Sequence, residues 1–150
     1  ITLLDPGTYE VQASAYGEDT VKFSLGSIVV EKDNKTTAAR LKIDHIDLTK
    51  TTKGIIQFEN MTTDTITYLY KRTVGGNFGS DMLGFVTTLK SNDYFYAFVE
   101  PGTYDFKANT RTSSSESGID YYSFKSSFPT GIVIEKSAIK KWSISASDKL

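Results

Sequence analysis

Pro6-Gly7-Thr8-Tyr9 recurs as Pro101-Gly102-Thr103-Tyr104, and each copy lies between runs of alternating apolar residues. Proline sets φ at the first position of a turn and glycine accepts a positive φ at the next, so each phrase reads as the tight corner of a β-hairpin. After the first copy, Tyr9, Val11, Ala13 and Ala15 alternate with Thr8, Glu10, Gln12 and Ser14. After the second, Tyr104, Phe106 and Ala108 alternate with Thr103, Asp105 and Lys107. Period two puts the first set of each copy on the core face of a strand.

Further along, Ile28-Val29-Val30-Glu31-Lys32 is matched by Ile132-Val133-Ile134-Glu135-Lys136. The copies stand 95 residues apart at the corner and 104 apart at this later strand. The difference reads as a Ser-rich insertion within Arg111 to Tyr121. An internal repeat of this length suits one β-sandwich module of seven or eight strands. Residues 54–150 then hold a complete module, 1–48 only the second half of one, and 49–53 (Thr-Lys-Thr-Thr-Lys) a polar linker. The expected fold is all-β: an antiparallel β-sandwich of Ig-like or transthyretin-like type, in tandem, with the first copy incomplete.

Between these marks the pattern predicts strands at Val21 to Leu25, Ile28 to Val30 and Arg40 to Ile43. Beyond the linker, Ile56 and Phe58 share a face, Asn60 to Asp64 turns, and Ile66, Tyr68 and Tyr70 line one face of the returning strand. Gly75, Gly76 and Gly79 mark a loop from Thr73 to Asp81. Leu83 to Leu89, Tyr94 to Val99 and Ile139 to Ala146 complete the set. Strict reversal from strand to strand would put loops 73–82 and 113–120 at opposite ends of the module.

Abundant Thr, Tyr, Phe, Val and Ile fit a pleated, half-buried surface. The net charge of −1, with signs interspersed, argues against nucleic acid or an anionic membrane as main partner. No apolar run approaches the roughly 18 residues that span a bilayer. The absence of Cys removes disulfides, zinc-thiolate sites and thiol catalysis. The opening at Ile1 inside a strand-like run leads us to expect a piece of a longer, exported polypeptide.

No catalytic set emerges. His45 is the single histidine and has no nucleophile or metal partner at a known spacing. The carboxylates match no calcium-loop pattern, and Gly75-Gly76-Asn77-Phe78-Gly79 lacks the Lys-Ser/Thr ending of a phosphate loop. We therefore expect no enzyme, no metal and no cofactor. The sequons at Asn34 and Asn60 are what chance supplies in so Thr-rich a chain. The aromatics are the one candidate surface. Alternation puts Tyr94, Tyr96 and Phe98 on one face and Phe95, Ala97 and Val99 on the other, while Tyr121, Tyr122 and Phe78 fall in loops. Exposed rings stack on sugars and serve protein interfaces equally well. The candidate ligand-binding residues are Phe78, Tyr94, Tyr96, Tyr121 and Tyr122.

The phrase apolar-x-x-Pro-Gly-Thr-Tyr-x-apolar-x-Ala, carried by Leu3 to Ala13 and by Phe98 to Ala108, resembles the hairpin of exported bacterial β-sandwich modules. Examples are the carboxypeptidase-regulatory-like (transthyretin-like) and PEGA-type domains. The longer loops at 73–82 and 111–121 depart from that pattern. The resemblance implies a non-catalytic module in a larger cell-surface or periplasmic protein, with a structural or protein-interaction role. Its partner would be a protein or the rest of the same polypeptide, the half module being completed by strands from outside, in a strand-completed oligomer for example. The alternative is a carbohydrate-binding module that uses tyrosines and loop aromatics to hold a polysaccharide.

Overall fold

A computed structural model describes residues 4–32, 41–84, 87–113, 119–124 and 131–148, with backbone alone for 18–20, 110–113 and 119–124. The chain divides into two compact units, Ile1–Thr51 and Thr52–Leu150. The protein is all-β, with no α-helix among the described residues.

In the first unit β1 (Gly7–Ala15) and β2 (Glu18–Val30) form an antiparallel hairpin. The two strands expected at Val21 to Leu25 and Ile28 to Val30 are one. Val11 pairs with Gly26 and Gln12 with Ser24, so Leu25 is left over, and Gly26 takes φ +82°. That β-bulge lets the ladder run through the Gly-Ser pair instead of turning there. The strand expected at Arg40 to Ile43 is also revised. Arg40 lies outside the described residues, Leu41 and Lys42 have no regular structure, and Ile43–His45 is a 3-10 turn. Its cap is local: the Lys42 amide donates to His45 Nδ1 at 3.1 Å and the His45 amide to the Lys42 carbonyl at 3.1 Å. A second 3-10 turn, Leu48–Lys50, precedes the unit boundary.

The second unit comprises β3 (Gly54–Asn60), β4 (Ile66–Thr73), β5 (Tyr94–Val99), β6 (Gly102–Ser113), β7 (Ile119–Phe124), β8 (Ile132–Ile134) and β9 (Ile139–Ile144). One sheet has the order β5-β3-β9; the other is β4-β6-β7, with β8 also on β6. The purely antiparallel expectation fails at one place: β3 and β9 are parallel, from Ile55 opposite Ile139 to Asn60 opposite Ile144. These strands open and close the unit. The long connection between them removes the constraint that a tight hairpin would impose. Both sheets feed one apolar cluster, in which Ile56, Phe58, Ala97, Val99, Trp142 and Ile144 meet Ile66, Leu69, Phe106, Ala108, Ile132 and Ile134. Phe58 is its hub, edge-on to Phe106 at 5.3 Å and to Trp142 at 5.8 Å. Burying each such ring is worth about 1.5–3 kcal/mol.

The second Pro-Gly corner is not a hairpin turn. β5 pairs with β3, whereas β6 pairs with β4, β7 and β8, so Glu100-Pro101 carries the chain from one sheet to the other. Nor is glycine there for a positive φ, which neither Gly7 nor Gly102 adopts. A Cβ at Gly102 would stand 3.2 Å from Tyr104 Cε2 and 3.3 Å from its hydroxyl. Glycine clears the ring, which lies back over it so that the Tyr104 hydroxyl donates to the Glu100 carbonyl at 3.0 Å. Tyr9 does the same to Asp5 at 2.7 Å. This is the bond of a tyrosine corner.

Strand register carries the likeness further. Gly7, Thr8 and Tyr9 pair with Val30, Val29 and Ile28; Gly102, Thr103 and Tyr104 pair with Ile134, Val133 and Ile132. Ala13 stands opposite Phe23, and Ala108 opposite Phe124. The extra residues of the second copy therefore fall in two places rather than wholly within Arg111 to Tyr121. Ala13 to Phe23 is 10 steps against 16 from Ala108 to Phe124, and Phe23 to Ile28 is 5 against 8 from Phe124 to Ile132.

Two further expectations change at β4. Of the strand expected at Leu83 to Leu89, the described residues keep only a single bridge from Leu89 to Ile66, and residues 85–86 lie outside the described set. Ile66, Tyr68 and Tyr70 do not share a face. Ile66 pairs with Thr110 and Tyr68 with Asn109, a bulge that shifts the phase by one, so Ile66 and Leu69 enter the core.

Candidate functional site

That bulge creates the candidate surface. With Leu69 inward, Tyr68, Tyr70 and Arg72 point away from the core, beside Asn109, Lys107 and Asp105 of β6. The Tyr68 and Tyr70 rings stack at 6.0 Å with only 16° between their planes. Arg72 Nε donates to Asp105 Oδ2 at 3.0 Å, and Nη1 to the Gly76 carbonyl at 3.3 Å.

The 73–84 loop folds back along the outer edge of β4. Gly76 donates to the Thr73 carbonyl, Gly79 to the Lys71 carbonyl at 3.1 Å, and Met82 to the Leu69 carbonyl at 2.7 Å. Asp81 accepts from the amides of Leu69 (2.9 Å) and Leu83 (3.1 Å). The loop thus closes an edge strand that would otherwise offer bare amides to other chains. It also delivers Phe78 beneath two cations, with the Arg72 guanidinium 4.5 Å and Lys107 Nζ 6.0 Å from the ring centroid.

The five sequence candidates do not converge. Phe78 lies against Arg72 and Lys107 of one sheet. Tyr94 and Tyr96 lie on β5 of the other, edge to face at 5.2 Å, Tyr94 half-buried and Tyr96 only 7% exposed. Tyr121 and Tyr122 belong to β7 rather than to a loop, their backbones opposite Arg111 and Thr110; their side chains lie outside the described set. Tyr68, Tyr70 and Arg72 were missed because the bulge that turns them outward leaves no mark in the alternation; Lys107 falls on the outward face that the alternation gives it.

Other polar groups singled out from the sequence serve the backbone. Asn60 is fully buried: its Nδ2 donates to the carbonyls of Asp64 and Leu89, both at 2.8 Å, and its Oδ1 accepts from the Thr62 amide and hydroxyl. A sequon asparagine so engaged offers no amide for glycosylation once folded. Asp148 caps the last 3-10 turn through Ser145. Thr49 and then Lys50 hold the Asp47 carboxyl below the usual range. Glu59 is lowered chiefly by its hydrogen bond from Lys141, at 2.7 Å, and then by Ser143. Lys71, whose ammonium lies 5.5 Å from the Tyr104 ring, is lowered by desolvation. Among the described residues no group of three or more His, Asp or Glu could hold a metal ion. Chemically, the β4–β6 face can stack a flat apolar ligand on Tyr68 and Tyr70 and offer Lys107 to an anion. No family model, curated protein or solved structure matches the chain.

Proposed function

We propose that this chain is part of an extracytoplasmic protein built of tandem β-sandwich modules, with a non-catalytic role as spacer or protein-interaction unit. The observation that carries the reading is the shared corner. Tyr9 and Tyr104 make the same backbone bond four residues back, and the strands that follow them pair in the same register. A tandem array explains why one local device recurs in both units of one chain. The engagement of His45, Asn60, Asp81 and Asp148 with backbone groups supports the non-catalytic part. The chain has no Cys, so Ser80→Cys at an exposed loop position introduces a single thiol. In cells carrying the natural full-length protein, a membrane-impermeant maleimide should label that thiol without lysis. Labelling only after lysis would overturn the extracytoplasmic assignment.

A polysaccharide-binding role is the second reading, favoured by the near-parallel Tyr68–Tyr70 stack and by Lys107, which pairs with Tyr70 and lies over the Phe78 ring. It predicts glycan-array binding that Tyr70→Ala and Phe78→Ala each abolish. An array without signal contradicts it.

A further inference from the structure

The tandem-module reading, on which this inference rests, makes the second unit a template for the first. Residues Tyr104 to Thr110 of β6 carry β4 along one edge, with Thr73 opposite Tyr104, Arg72 opposite Asp105, Lys71 opposite Phe106, Tyr70 opposite Lys107 and Leu69 opposite Ala108. The corresponding residues of β1 are Tyr9 to Ala15, yet among the described residues β1 pairs with β2 alone. The face tells the same story. Phe106 and Ala108 are 4% and 0% exposed, whereas their counterparts Val11 and Ala13 are only half-buried. A two-stranded hairpin is marginal in water without further strands on its apolar face.

We propose that the β1 edge from Tyr9 to Ala15 is a docking site for an antiparallel β-strand of β4 character, donated by a partner polypeptide. The template specifies its chemistry. Ala13, like Ala108, takes a Leu-sized apolar residue opposite it. Glu10 holds the position of Asp105, whose partner is the guanidinium of Arg72 at 3.0 Å, so the incoming strand carries a basic residue there. In the present structure the Glu10 carboxylate accepts a bond from the Ser27 hydroxyl at 2.7 Å, across the β1–β2 pair. Main-chain bonds along the edge supply affinity and these two positions supply register, as in strand addition generally. A second copy of this chain does not fit as donor, because its β4 is already held between β6 and the 73–84 loop.

The test titrates the isotope-labelled 150-residue chain with a synthetic peptide of residues 65–74, the natural strand of this type. Saturable amide shifts at Tyr9 to Ala15, with slowed hydrogen exchange there, are expected. Changing the peptide's arginine to glutamate should weaken binding about two- to fivefold, the worth of a cross-strand ion pair, and Glu10→Arg should restore it. Shifts confined to β6, equal shifts from a scrambled peptide, no shifts at all, or dimerisation of the chain without peptide would each overturn the proposal. The corner bonds of Tyr9 and Tyr104 are measured separately, so failure of strand docking is distinguishable from failure of the tandem reading.

Discussion

Tyr104 donates its hydroxyl to the carbonyl of Glu100 across the point where the chain leaves one sheet for the other. The bond fixes a crossing that no main-chain ladder spans, and Gly102 makes room for the ring that forms it. Tyr104→Phe should cost about 1 kcal/mol, the usual net worth of such a bond. Gly102→Ala should cost more, because the added methyl meets the ring at 3.2 Å. Urea unfolding followed by Trp142, the single tryptophan and a core residue of the second unit, reads both.

Asn60 ties the 60–64 turn to Leu89 from a fully buried position. Asn60→Ala removes four side-chain bonds and strands the Thr62 amide, while the Leu89 and Asp64 carbonyls keep the Ile66 amide and the Thr62 hydroxyl as donors; it should lower stability by about 2 kcal/mol. Asn60→Asp keeps the shape but turns a negative oxygen toward those carbonyls. Its penalty should be large at neutral pH and ease on acidification, as the carboxyl gains a proton to donate. The same tryptophan-detected unfolding, run at two pH values, checks both variants.

Glu59, bonded to Lys141 and Ser143, has a folded pKa below its ordinary 4.5. A depressed carboxylate contributes stability above its unfolded pKa and loses it as pH falls through the folded value. The stability difference between the parent and Glu59→Gln should therefore be largest at neutral pH and shrink as the pH falls through the folded value. A difference that stays constant over that range would exclude a role for the carboxylate charge.

Arg72 holds Asp105, the Gly76 carbonyl and the Phe78 ring together. A double-mutant cycle on Arg72→Met and Phe78→Ala should give a coupling of about 0.5–1 kcal/mol, as for a partly exposed cation–π pair. Zero coupling would mean that the loop holds Phe78 without the cation.

Much of the architecture was legible in the sequence because β-patterning is local. Alternation after Tyr9 and Tyr104 marked the strands, and the split of Phe95, Ala97 and Val99 from Tyr94, Tyr96 and Phe98 was read correctly: the first set meets the core. Thr73 faces Tyr104 at the start of β6 and Ser113 closes that strand, while residues 114–118 of the expected 113–120 loop lie outside the described set. What failed depends on pairing rather than pattern. A corner between two sheets and a hairpin turn share the same residues, so Pro101-Gly102 was misread. The bulge at Ile66–Tyr68 inverts every later residue of β4 without altering composition, which concealed Tyr68, Tyr70 and Arg72. The parallel β3–β9 pair joins residues some 85 apart, beyond any local signal.

Cross-strand nuclear Overhauser contacts around the two Pro-Gly corners test the central claim most directly. Matching contacts are expected for Thr8 with Val29 and for Thr103 with Val133, and none between Phe98 and Asp105, which face Ile55 and Arg72 on different sheets. Contacts pairing Phe98 with Asp105, as a hairpin turn at Pro101-Gly102 requires, would contradict this arrangement.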